Sequence, residues 1–176
     1  QPVPQKEQAN TTQASPQTEP SPAQDPVQTT PTPEAETDPL QGTAFSAGQG
    51  GSVQVETPLY TAVLSTQGGV LEHFYLKKHR QSIAPDSPPI DLITDQSLRK
   101  APMGILWNRS PAWKQASWSV QGQDLQLAGS ESGQLAFVGR LNGVIFKRIL
   151  TFEADSYDLD EKLQIQNTTQ DLVSGT

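Results

Sequence analysis

The sequence predicts an all-β protein, an antiparallel β-sandwich preceded by a disordered tether. Three observations lead there. The composition splits in two: nine of the 15 prolines lie in the first 40 residues, while all 11 aromatics lie from Phe45 onward. Beyond that point apolar residues recur with period two rather than 3.6, the pattern of half-buried strands. Clusters of Gly, Pro, Asn and Asp separate the alternating runs, as hairpin connections require.

Residues 1–43 are Pro, Gln, Thr, Ser, Ala and acid, with Val3, Val27 and Leu40 as the only large apolar side chains. Such a segment cannot bury enough to offset the entropy of ordering it. Its charge is Lys6 against Glu7, Glu19, Asp25, Glu34, Glu36 and Asp38, so of the net −7 only −2 remains for the rest of the chain. A flexible chain of this length spans roughly 35 Å, which suits a spacer between an anchor and a domain. The chain starts at Gln1 and its one methionine is Met103. We therefore expect an internal piece of a longer product, with a signal peptide or a membrane anchor ahead of it. No apolar run reaches the roughly 18 residues of a membrane-crossing helix. The acidic balance argues against nucleic acid as a partner, since phosphate binding uses clustered Lys and Arg. Zero cysteines exclude disulfides, thiolate metal sites and cysteine nucleophiles.

Residues 44–176 are enough for one hydrophobic core. Val53, Val55 and Thr57 alternate with Gln54 and Glu56, which marks a first strand. Leu59 to Thr66 and Val70 to Lys78 flank Gly68-Gly69 as a hairpin. In regular alternation Val70, Glu72, Phe74 and Leu76 share one face and Leu71, His73 and Tyr75 the other, so both faces are partly covered, as in stacked sheets. Ser97 to Met103 is expected to form a short helix. Trp118/Val120 and Leu125/Leu127 mark two further strands. From Gln134 to Gln166 the sequence reads as a meander. Asn142-Gly143 is the favoured pair of a type I′ turn, because both central residues need positive φ. That loop places Leu141 opposite Val144, Gly139 opposite Phe146, Phe137 opposite Arg148 and Leu135 opposite Leu150. A second hairpin at Asp155-Ser156 places Leu159 opposite Phe152, Leu163 opposite Arg148 and Ile165 opposite Phe146, extending one apolar face over three strands. Arg148 then lies on that face, diagonal to Glu161, and the two are expected to pair. Phe146 is expected to cover the bare backbone of Gly139.

No chemistry-bearing constellation emerges. Glu72 and His73 are strand neighbours pointing to opposite faces, so they cannot form a dyad. His73 reads as a packed strand residue and His79 as a solvated strand end. The cluster Lys77-Lys78-His79-Arg80 could touch anionic headgroups, but a solvated strand end is the preferred reading. Gly129-Ser130-Glu131-Ser132-Gly133 has Glu131 where a nucleophile elbow needs serine. Gly48-Gln49-Gly50-Gly51 lacks the third glycine of a dinucleotide fingerprint and the Lys-Ser/Thr of a phosphate loop. Asp155, Asp158 and Asp160 do not have the spacing of an EF-hand. Trp107, Trp113 and Trp118 are assigned to cores rather than to sugar-stacking platforms. The sequence supplies no catalytic, metal or cofactor site.

Two stretches carry a family resemblance. Ser65-Thr66-x-Gly68-Gly69-x-Leu71-x-x-Phe74-x-Leu76-Lys77, within Val53 to Lys78, resembles the opening of the periplasmic domain of YidC-type membrane protein insertases. Asn142-Gly143-Val144-Ile145-Phe146-Lys147-Arg148-Ile149-Leu150-Thr151-Phe152, followed by Asp155-Ser156-Tyr157-Asp158-Leu159, is similar to a later hairpin of that domain. Order and spacing agree from about Ser52 to Asn167, and the family also places a tether ahead. The resemblance implies a Gram-negative inner-membrane protein whose antiparallel β-supersandwich, mutarotase-like in fold, faces the periplasm ahead of a helical bundle that performs insertion. It implies a non-enzymatic accessory domain, with the accessory subunits of the Sec translocon and nascent inner-membrane proteins as partners. The family's insertion groove has no counterpart among these residues. The family domain usually continues past this point, so truncation at the C-terminal end and an unpaired edge after Gln166 are expected. Two readings from other classes compete. A carbohydrate-binding or carbohydrate-active sandwich would line a groove beside His73 with the tryptophans, and a lipid-anchored adhesin-like domain would carry a lipidated cysteine upstream.

Overall fold

A computed structural model describes residues 44–48 and 50–175. The expected tether, residues 1–43, lies outside the described residues. The described part is built from β1 (Ser52–Glu56), β2 (Tyr60–Ser65), β3 (Leu71–Arg80), β4 (Pro89–Asp91), α1 (Asp95–Arg99), β5 (Leu106–Trp107), β6 (Ser110–Pro111), α2 (Ala112–Gln115), β7 (Ser117–Gln121), β8 (Leu125–Gln126), β9 (Ser132–Leu141), β10 (Val144–Glu153) and β11 (Leu159–Asn167). A five-stranded sheet has the order β4-β3-β2-β1-β8, a four-stranded sheet the order β11-β10-β9-β7, and β5 and β6 form a small ribbon.

The core lies between the two larger sheets. Val53, Val55, Tyr60, Ala62, Leu64, Leu71 and Phe74 from the first meet Leu135, Phe137, Leu150 and Phe152 from the second. Each large apolar side chain buried in this layer contributes about 1.5–3 kcal/mol, which is what holds the sheets face to face. A smaller cluster of Phe45, Val70, Ala101 and Trp113 closes one end.

The meander has the register read from its turns. Leu141 pairs with Val144, Gly139 with Phe146, Phe137 with Arg148 and Leu135 with Leu150. Across the next ladder Phe152 pairs with Leu159, Arg148 with Leu163 and Phe146 with Ile165. Asn142 and Gly143 have φ of 47° and 79°, the left-handed pair of a type I′ turn.

Four local expectations need correction. The first is Leu71, which lies on the core face with Phe74 and Leu76. β2 pairs Val63 with His73 but Leu64 with Leu71, so Glu72 is a bulge residue that reverses side-chain parity. The second is the helix, which is α1 rather than Ser97–Met103. Thr94 Oγ1 accepts from Ser97 N at 3.2 Å while Ser97 Oγ accepts from Thr94 N at 2.8 Å, a capping box that starts the helix earlier. Ala101 and Met103 have φ of 50° and 62°, so no right-handed helix runs through them. The third is the sandwich's strand directions, which are not all antiparallel: β8 runs parallel to β1, pairing Val55 with Leu125 and Glu56 with Gln126. The chain crosses there from the second sheet to the first, and Asp124 Oδ1 fixes the crossover by accepting from Gln54 N at 2.8 Å. The fourth is the cover over Gly139, which is Trp118. A Cβ at that glycine would meet the indole at 2.8 Å, and Trp118 pairs with Gly139 across β7 and β9.

Candidate functional site

The most unusual side chain in the interior is a cation. Arg148 follows the alternation of β10 inward and is 0% exposed between Phe146 and Leu150. A buried guanidinium persists only if its donors are satisfied and its charge is met. Arg148 Nη1 donates to Gly68 O at 2.8 Å and Gly69 O at 3.2 Å. Nη2 donates to Glu161 Oε2 at 3.1 Å. Nε sits 2.8 Å from Glu161 Oε1, an ionic contact at an angle too poor for a hydrogen bond. Burial lowers the arginine pKa from its ordinary value, and the hydrogen bond and charge of Glu161 oppose that shift. The group stays charged because the guanidinium is so basic.

This contact links the sheets. Gly68 and Gly69 form the β2–β3 turn of the first sheet, and Arg148 reaches them from the second. Both glycines have positive φ, 79° and 68°, and an added Cβ would lie 3.1 Å from Trp118 or 2.9 Å from Phe137. The Gly68-Gly69 motif is therefore a socket, left-handed in backbone and bare of side chains, whose carbonyls receive the arginine.

His73 and Asp91 form the other polar cluster, on the outer face of the first sheet. His73 Nδ1 lies 2.7 Å from Asp91 Oδ2, and the imidazole stacks on Tyr75 with centroids 5.3 Å apart. Asp91 Oδ1 also accepts from Phe74 N at 3.0 Å and Ile93 N at 2.9 Å, which fixes the carboxylate at the β3–β4 connection. Burial, and secondarily the charge of Asp91, raise the Tyr75 pKa above its ordinary value. The Nε2 of His73 has no partner among the described residues. The sequence missed Asp91 because strand pairing, not chain proximity, brings it beside the histidine. In the basic cluster, Lys77 Nζ pairs with Glu56 Oε1 at 2.8 Å and Arg80 Nη1 donates to Ser87 O at 3.0 Å. Lys78 and His79 are exposed, as a strand end predicts.

The three indoles serve packing. Trp107 meets Phe146 edge-on with centroids 5.3 Å apart, and Trp118 stacks on the same phenyl ring with centroids 6.3 Å apart. Trp118 Nε1 donates to Ala112 O at 2.9 Å. Trp113 is 4% exposed in the small cluster with Val70. Trp113 and Trp118 also border a cavity of about 280 Å³ with Thr66, Gln67, Lys114 and Ser117, and neither Trp107 nor His73 lines it. The tryptophan groove beside His73 required by the carbohydrate reading is not formed.

With the sandwich, its Gly68-Gly69 socket and its Asn142-Gly143 hairpin in place, the relatives are informative. The family model described as the YidC periplasmic domain matches residues 52–176, beginning at β1 and containing both motifs. The chain belongs to this family. It is similar to the membrane protein insertase YidC of Oleidesulfovibrio alaskensis, 45% identical over 147 residues that make up 84% of this chain and 26% of the relative. The insertase YidC of Maridesulfovibrio salexigens is 42% identical over 74% of this chain and 24% of its own length. The insertase YidC of Lawsonia intracellularis is 42% identical over 72% and 24%. The chain thus spans about a quarter of the length of these curated relatives.

Proposed function

We propose that this chain is the non-enzymatic periplasmic part of an inner-membrane insertase, a scaffold domain accessory to the insertion and folding of inner-membrane proteins. The observation that carries the reading is the family match from β1 onward, together with relatives named as insertases. The physical character of the domain supports it. The buried Arg148 is occupied in joining the sheets through the Gly68 and Gly69 carbonyls, with Glu161 of its own sheet balancing its charge, and the His73–Asp91 pair lies on an outer sheet face where Asp91 holds the strand connection.

Residues 1–43 act as the tether between a membrane anchor and the domain, and residues 44–176 as the folded periplasmic unit. Insertion itself is solvent transfer of apolar segments into lipid, driven by burial, and belongs to the rest of that protein. The partners are nascent inner-membrane proteins and the accessory subunits of the Sec translocon. The test is growth rescue and insertion of a single-span reporter in insertase-depleted cells by the full-length protein. Rescue is expected. Failure of the expressed, membrane-located protein to insert the reporter would refute the insertase reading. Photo-crosslinkers on the domain surface then test the translocon contact, which predicts adducts with those subunits.

A further inference from the structure

The outer face of the second sheet concentrates positive charge in an acidic chain. Side chains of β9–β11 that do not enter the core alternate with those that do, and register makes Arg140, Lys147 and Lys162 neighbours. Arg140 pairs with Ile145, two residues before Lys147, and Lys162 pairs with Ile149, two residues after it. The three cations therefore form a diagonal stripe over three adjacent strands, all exposed, with Ile145 and Ile149 half-buried between them. Like charges at diagonal positions repel and destabilise a sheet. Among the described residues none of the three has an ion-pair partner. The carboxylates of this face, Asp160 and Glu153, fall in the rows toward the Asp155-Ser156 turn, opposite Thr151 and Ser132. The half nearer the Asn142-Gly143 turn is left cationic.

We propose that this stripe is an electrostatic contact for an anionic bilayer surface. The complementarity is one of charge. Three exposed cations on three adjacent strands face a layer of anionic headgroups, with the partly buried Ile145 and Ile149 between them. The inference rests on the proposed inner-membrane location, which keeps a bilayer within reach of the domain and raises its effective concentration there. The net −7 of the chain would otherwise repel such a surface, so the stripe also sets which face turns toward it.

Vesicle co-sedimentation of this chain tests it. Vesicles of phosphatidylcholine with about 30% phosphatidylglycerol are expected to retain the chain at low salt, pure phosphatidylcholine to retain none, and added salt to release it. Each cation removed should weaken partitioning by roughly fivefold, so Arg140→Gln/Lys147→Gln/Lys162→Gln should weaken it on the order of a hundredfold. Lys78→Gln/Arg99→Gln/Lys100→Gln removes the same charge elsewhere and should retain most of the binding, with unchanged circular dichroism in both variants. Absence of phosphatidylglycerol-dependent sedimentation, or equal loss in the two triple variants, would overturn the proposal. Binding to soluble polyglutamate without binding to the vesicles would assign the face to an acidic protein and equally overturn it. None of these outcomes bears on reporter insertion by the full-length protein, so the two readings fail separately.

Discussion

Replacing Arg148, or the Glu161 beside it that balances its charge, tests the join that the arginine makes between the sheets. In Arg148→Met the hydrocarbon stem is kept, while the carbonyls of Gly68 and Gly69 lose donors at 2.8 and 3.2 Å. A hydrogen bond to a charged group contributes about 1.5–3 kcal/mol, and an unsatisfied buried acceptor costs about 1–3 kcal/mol. Removing the buried charge itself relieves desolvation. The net loss should be about 2–4 kcal/mol, a large part of a typical total of roughly 5–15 kcal/mol. Glu161→Gln leaves the guanidinium without its counter-charge. Removing one partner of a fully buried pair costs about 3–5 kcal/mol, but the Glu161 side chain is 36% exposed, so water shares the charge and about 2 kcal/mol is expected. The double variant should be little worse than Arg148→Met alone, giving a coupling of about 1–2 kcal/mol. Urea unfolding followed by tryptophan fluorescence and far-ultraviolet circular dichroism measures all four proteins. Stability of both single variants within about 0.5 kcal/mol of the parent, the range of ordinary surface changes, would refute the claim that Arg148 joins the sheets.

Other sites give independent tests. Gly69→Ala places a Cβ 2.9 Å from Phe137 at a φ of 68°, so a loss of at least about 1 kcal/mol is expected by urea titration; parental stability would show that the turn is not constrained. Burial, and secondarily Glu153, raise the Tyr60 pKa from 10.0 to about 12. The unfolded chain therefore releases this proton first, and stability present below pH 10 should fall through the window from 10 to 12, by on the order of 2 kcal/mol. Tyr60→Phe should flatten that part of the pH profile, and an identical slope in the variant would contradict the assignment. Ile165 is 50% exposed on edge strand β11, so Ile165→Lys should cut concentration-dependent light scattering without lowering the urea midpoint; unchanged scattering would exonerate this edge.

The meander was legible because two independent local signals agreed. The Asn142-Gly143 turn and the apolar alternation of Leu135, Phe137, Phe146 and Leu150 specify the same register, and that register alone brings Arg148 and Glu161 together. The Leu71 face was not legible, since one extra residue at Glu72 reverses parity without leaving a mark in composition. Nor was the socket for Arg148, whose partners Gly68 and Gly69 lie some 80 positions away in sequence. The parallel β1–β8 pair and the His73–Asp91 contact were hidden for the same reason, because each depends on how separate hairpins are laid side by side. The exposed stripe of Arg140, Lys147 and Lys162 becomes visible only once three strands are in register, because along the chain its members are far apart.

The central claim is that two sheets, joined by Arg148 through the Gly68-Gly69 turn, form one cooperative scaffold. Native-state hydrogen exchange at increasing urea measures this most directly. The account predicts that amides of β2 and β3 and those of β9 and β10 converge on a single opening free energy. Loss of protection in β1–β3 while β9–β11 remain protected would contradict it.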